Sequence, residues 1–198
     1  MRNRRSSARD LALVAVFAAL IAALGLPGVL MPFGTAVPIT AQTLGVMLAG
    51  SILGGRRGAA AVAVFLLLVA AGLPLLAGGR GGLGVFAGPS AGFLLGWVPG
   101  AWVTGALVSA WRRGFALAWA VVANAVGGIA VVYAMGIPVL AAVTDVTLTT
   151  ALRSSWIFLP GDLIKVVVAA VIALGVHRGY PVMAPGGRRS EEPSTSQP

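Results

Sequence analysis

Between Asp10 and Arg56 the chain carries no charged residue, an interval of 45 positions. A helix needs about 20 apolar residues to cross a bilayer, so this interval has room for two crossings and the connection between them. Pro27, Pro32 and Pro38 fall in its middle, and proline removes a helix donor and clashes with the preceding turn. The spacing therefore predicts one span near 10–29, a second near 41–54, and a loop of irregular backbone, PGVLMPFGTAVPIT, between them. Only 10% of the 198 residues are charged, and the mean hydropathy is +0.95. A soluble domain carries roughly 25% charged residues. The chain reads as an all-α, polytopic membrane protein with a single domain.

The remaining spans follow from the same reasoning. Arg56 and Arg57 punctuate the chain, and a third span runs over roughly 58–76, ending at Pro74. A fourth covers about 90–110, a fifth about 115–136 and a sixth about 160–177, with a more polar connection at 138–156. The start, MRNRRSSARD before an apolar run, resembles a signal peptide, but the run is long and no exported soluble domain follows PITAQTL. It is read as a retained first span. Six spans put both termini on one side. The basic residues before Asp10, at 56–57, at 112–113 and at 178, 188 and 189 would all share that side, eleven of the fourteen. Positive residues mark the cytoplasmic face, so both termini are expected there. The expected organisation is a basic cytoplasmic segment over 1–9, a six-helix membrane domain over 10–178, and a tail over 179–198 with the composition of disorder.

Several function classes drop out. The net charge of +9 lies in short arginine groups between apolar runs, without the aromatic interleaving of nucleic-acid readers. Cysteine is absent, which excludes disulfides and thiolate metal sites. The lone histidine, His177, is expected where the last helix meets water, and nothing offers a second metal ligand. GGRGGLG lacks the Gly-Lys-Ser/Thr ending of a phosphate loop. The aspartates outside the tail are scattered singly, so no acid–base constellation supports a membrane enzyme acting on lipid or isoprenoid groups. That class remains the alternative from outside transport.

The chemistry concentrates in FLPGDLIK, residues 158–165. Pro160 suits the first turn of a helix, and Asp162 and Lys165, three residues apart, then share a face. Charges inside a span cost a few kcal/mol each unless paired, cavity-facing or liganded. The pair is either a neutralising structural bridge or one wall of a polar ligand pocket. An acceptor-only carboxylate beside a donor-only ammonium suits a neutral group that both donates and accepts, such as a urea or amide. Lys165 or Arg80 could instead hold a carboxylate. On the six-span topology, three polar elements converge on the outer side: this helix start, the PITAQTL segment with Thr40, Gln42 and Thr43, and the glycine-rich loop over 78–92 with Arg80 and Gly82. Thr40 also reads as a helix cap, and Arg80 as a solvated loop charge. Asn124, inside the fifth span, reads as an interhelical hydrogen bond or a polar ligand contact. Ala15, Ala19 and Ala23, or Ala18 and Ala22, form small-xxx-small ridges for close helix packing, internally or against a partner. The five tryptophans fall mostly near predicted span ends, as interfacial anchors do.

Four segments in order, VPITAQTL at 37–44, LAGSILGGRRGAAAV at 48–62, GLPLLAGGRGGLGVFAGPSAGFLLG at 72–96 and FLPGDLIK at 158–165, resemble the BioY family. That family provides the biotin-specific substrate-binding (S) components of energy-coupling-factor (ECF) transporters. The similarity covers about residues 10–178. It implies a six-helix fold in the bacterial plasma membrane that binds biotin at its outer face. It also implies association with a transmembrane coupling subunit and two cytoplasmic ATPases, with no cofactor. By the same resemblance Asp162 and Lys165 contact the ligand, the loops at Arg80 and 27–40 close over it, and Ala15, Ala19 and Ala23 meet the coupling subunit. The chain departs from the family in having Gly79-Arg80 where relatives often carry an asparagine-containing loop. It also has Ser90 where relatives usually carry threonine. Another small vitamin on the same scaffold is the nearest alternative. The sequence leaves open whether the protein acts alone, as a homo-oligomer, or only with energising partners.

Overall fold

The computed structural model describes residues 4–26, 37, 39–110 and 116–179, and among these every regular element is helical. Most of the expected 27–40 loop, Trp111, Arg112, Arg113 and the tail beyond Gly179 lie outside the described residues. The helices are α1 (Arg4–Ala23), α2 (Gln42–Leu53), α3 (Gly55–Ala70), α4 (Ala91–Ala110), α5 (Leu117–Ala125), α6 (Val132–Thr144), α7 (Leu148–Ser155) and α8 (Leu159–Gly179). A π-helical segment, Val126–Val131, joins α5 to α6, and a 3₁₀ turn, Trp156–Phe158, joins α7 to α8. The segments Ala91–Ala110, Leu117–Thr144 and Leu148–Gly179 are long and apolar enough to cross a membrane, and α2 is a shorter apolar helix.

Glycines decide how closely these helices approach. Gly54 separates α2 from α3 at φ 80° and ψ 171°, a region essentially reserved for glycine. The chain thus reverses in a single residue, and α3 packs back along α2. α4 occupies the centre, between this hairpin on one side and the α5–α6 helix on the other. A Cβ on Gly105 would collide with the backbone at Gly54 and Gly55, and one on Gly127 with Thr104 and the Gly100 carbonyl. In a bilayer the surrounding lipid is as apolar as the core, so association rests on this close packing rather than on burial from water. Phe65, Val62 and Val69 of α3 and Ala101 of α4 are completely buried in the interior.

Several expectations need correction. The third helix stops at Ala70 rather than near 76, because Gly72 turns at φ 104° and Pro74 disfavours helix in the residue before it. The fifth runs past Pro138 to Thr144. Abandoning the helix there would leave several backbone groups unpaired in an apolar medium, whereas one proline forfeits a single bond. It ends only at Asp145, which is left-handed at φ 52°. The expected 138–156 connection therefore holds the end of α6 and the whole of α7, which starts with the Thr150 amide donating to the Thr147 hydroxyl at 3.3 Å. His177 is buried rather than at the water boundary. Its ring Nε2 lies 2.9 Å from the Ser51 carbonyl, and since a carbonyl only accepts, that nitrogen carries the proton. Trp97 lies within α4 and is 5% exposed, so it packs in the interior and is no interfacial anchor; Trp102, in the middle of α4, and Trp156 are exposed.

The bundle has two unlike ends. Near one, Arg57 at the start of α3 pairs with Asp10 of α1 at 2.9 Å. At the other, the starts of α2, α4 and α8 gather beneath the segment from Gly72 to Ser90.

Candidate functional site

Asp162 and Lys165 stand one turn apart on α8, and Lys165 Nζ reaches Asp162 Oδ1 at 2.9 Å. Both side chains are largely buried. Two other helices complete the network. From α2, the Thr43 hydroxyl accepts a second hydrogen bond from Lys165 Nζ at 2.9 Å. From α6, the Tyr133 hydroxyl donates to Asp162 Oδ2 at 2.7 Å. The pair is thus tied on both sides without being saturated. A carboxylate has about four acceptor positions and an ammonium three donors. Two of each are occupied, so one ammonium hydrogen and two carboxylate positions remain.

These unused groups border an open-mouthed cleft that holds about 60 Å³ of enclosed space. Its apolar walls include Leu94, Trp97 and Val132. Phe93 meets the ring of Tyr133 edge-on at 5.9 Å between centroids and that of Phe158 at 6.4 Å. These contacts hold three aromatic rings in fixed orientations around the polar network.

Arg80 stands at the rim. Leu76 and Arg80 pair through both backbone hydrogen bonds, at 3.0 and 3.2 Å. The turn between them needs positive φ at Gly78 and Gly79, which glycine adopts without steric cost. The guanidinium donates to the Ser90 hydroxyl and to the Ala77 carbonyl, both at 3.3 Å, and keeps further N–H groups for a ligand. Partial burial lowers its pKa, but arginine remains a cation at any physiological pH.

Of the other residues singled out from sequence, Thr40 and Gln42 line the cleft. Thr40 is not the helix cap, since the N-cap of α2 is Ala41 with no side-chain bond. The Thr40 hydroxyl accepts from the Gln42 amide at 3.3 Å, a local turn just ahead of the helix. Gln42 is a clip. Its side-chain nitrogen donates to the carbonyls of Ile21 at 3.2 Å and Leu75 at 3.0 Å, and its oxygen receives the Ala77 amide at 3.0 Å. It thereby holds the Arg80 turn against α1 and α2. Gly82 and Asn124 are not among the lining residues. Gly82, at φ 82°, donates its amide to the Val69 carbonyl at 2.8 Å and turns the loop. Asn124 donates to the Ala120 carbonyl at 2.8 Å and accepts from the Ser51 hydroxyl at 3.0 Å, the interhelical bond named as one of its two readings. Ala15, Ala19 and Ala23 are exposed along α1, while Ala18 faces the core. Among the described residues no cluster could hold a metal ion.

Tyr133 and the aromatic walls escaped the sequence reading. Tyr133 carried a signal: it is one of two tyrosines, and its hydroxyl sits inside an apolar run, the argument that singled out Asn124. Phe93 and Phe158 carried none, because a phenylalanine in a span is ordinary.

Comparison with known proteins agrees with this geometry. A model of the BioY family matches residues 1–182. The biotin transporter BioY of Rhizobium etli is 53% identical over 183 residues, which cover 89% of this chain and 97% of that protein. The biotin transporter BioY of Rhodobacter capsulatus is 49% identical, over 87% of this chain and 95% of its own. Among solved structures, the crystal structure of the S-component for biotin from an ECF-type ABC transporter superposes with a TM-score of 0.81. Its identity is 30%, and 90% of this chain and 95% of that chain are covered.

Proposed function

Since the chain belongs to the BioY family, we propose that it is the biotin-binding S component of an ECF importer, with uptake driven by ATPase partners. The observation that carries this reading is the Asp162–Lys165 pair, buried yet unsaturated beside an open cleft with apolar and aromatic walls. Biotin matches it part by part. Its ureido ring has two N–H donors and one carbonyl, which suit the free carboxylate positions of Asp162 and the third hydrogen of Lys165. Its fused rings suit the apolar walls. Its valerate carboxylate suits Arg80 at the rim, where a bidentate guanidinium contact is favourable. Gln42 acts by holding the Arg80 turn, and Thr40 contributes to the wall.

The reading extends to the membrane. Residues 10–178 form a six-span domain of the bacterial plasma membrane, between the cytoplasmic segments 1–9 and 179–198, with the cleft facing outward. What supports this is that Arg57 pairs with Asp10 at the end away from the cleft and that His177 packs on Ser51 there. The exposed ridge of Ala15, Ala19 and Ala23 lets a second backbone approach closely, and it is the face offered to the coupling subunit.

Purified, monodisperse protein should carry a biotin-mass adduct in native mass spectrometry and bind added biotin in isothermal titration. Tight binding of another vitamin, with biotin silent, would overturn the ligand assignment while keeping the scaffold.

A further inference from the structure

One buried donor beside the cleft has no explanation in the fold. Trp97 lines the cleft, and its indole Nε1 is shielded from solvent with no hydrogen-bond partner among the described residues. The residue as a whole is 5% exposed. Its ring packs against that of Phe65, 6.2 Å away between centroids. An unpaired buried N–H costs roughly 1–3 kcal/mol, and native structures retain few of them. A tryptophan used only for bulk could be a phenylalanine at no such cost.

Trp97 shares the wall of the cleft with Asp162 and Lys165 and lies six residues, about 9 Å, into α4. Nearby, Gly128 of the π-helical segment also lines the cleft. A Cβ there would strike the Met47 side chain, so glycine makes room for Met47. π-helical turns are frequently found at functional sites.

We infer that the Trp97 N–H donates to the ureido carbonyl oxygen of bound biotin, on the side away from Lys165, and so sets how deep the ring sits. This rests on the reading of the cleft as a biotin site. The indole is a donor only, so its partner must be an acceptor. With the carboxylate at Arg80 and both ureido nitrogens acting as donors, the ligand offers two others. The ring sulfur is a weak acceptor, whereas the carbonyl oxygen is strong and has two lone pairs, one for each wall.

The test is isothermal titration of wild-type protein and Trp97→Phe with biotin and with its thiocarbonyl analogue, in which sulfur replaces the ureido oxygen. Trp97→Phe should weaken biotin binding about tenfold. Its penalty against the thiocarbonyl analogue should be clearly smaller, a coupling that a general packing defect would not produce. Equal penalties for both ligands, or unchanged biotin affinity, would overturn the inference and leave the biotin site standing. Failure of the wild type to bind biotin would instead defeat the site reading. Should Trp97→Phe not fold, wild-type protein with ¹⁵N-labelled tryptophan decides. One solvent-shielded indole N–H resonance should move downfield with biotin and move less with the analogue; no such movement would sink the idea.

Discussion

Helix α8 carries two buried polar clusters, at Asp162 and at His177, about 22 Å apart along its axis. Both use α8 and α2, and both include a titratable side chain in a largely apolar bundle. They differ in what remains unused. At the His177 end, Ser51 is the hub: its carbonyl meets the imidazole, and its hydroxyl donates to Asn124, which donates in turn to Ala120. None of these residues lines the cleft at the Asp162 end. At the Asp162 end, Tyr133 and Thr43 leave donors and acceptors free, and a cleft adjoins them. A buried polar residue therefore marks a ligand site only when it retains hydrogen-bonding capacity towards a space. Otherwise it fastens helices together.

Four substitutions would break or sharpen this contrast. The largest effect on ligand binding is expected at the open cluster. Asp162→Asn or Lys165→Ala should weaken biotin binding by at least about tenfold, or ~1.4 kcal/mol, and unchanged affinity in both variants by titration would refute the assignment. Lys165→Ala should also lower the stability of the unliganded protein more than Asp162→Asn, because it strands a buried carboxylate, whereas the amide still accepts hydrogen bonds. Tyr133→Phe is expected to be milder. It frees one Asp162 oxygen and loses a hydrogen bond of about 1 kcal/mol, so affinity should fall about fivefold in titration while the fold is kept. The smallest effect belongs to the closed cluster. Ser51→Ala should lower stability by about 0.6 kcal/mol, the average for such bonds in membranes. Thermal unfolding would register that change, and biotin affinity should stay within twofold. A large loss of affinity from Ser51→Ala would mean that the two clusters are coupled and that the contrast is false.

Much of the candidate site was legible because charge is conspicuous in an apolar chain. Asp162, Lys165 and Arg80 each stand out against their neighbours, and placing FLPGDLIK, PITAQTL and the glycine-rich loop at one end needed only span counting. Individual roles were less legible. Gln42 was singled out as a pocket-wall residue and lines the cleft, but its role as a clip was not legible. Which carbonyls lie within hydrogen-bond reach of an amide is a property of three chain segments, not of one. Trp97 looked like an anchor, because residue type near an expected span end says nothing about which way the helix has turned.

The sequence by itself determined that this chain lives in a membrane, where its helices fall to within a few residues at most ends, and which charges must be sheltered. Those follow from the cost of placing polar groups in hydrocarbon, which acts residue by residue. Only the tertiary structure decided which face of each helix points inward. Along α8, Val166, Ala169, Ala170 and Ala173 are buried while Leu163, Ile164, Val167 and Val171 face outward, yet both sets are apolar. In water the two faces would differ in polarity and the pattern would show in the sequence. In lipid both sides are oil, so the inward face is chosen by size and close packing, and packing exists only once the partners are in place.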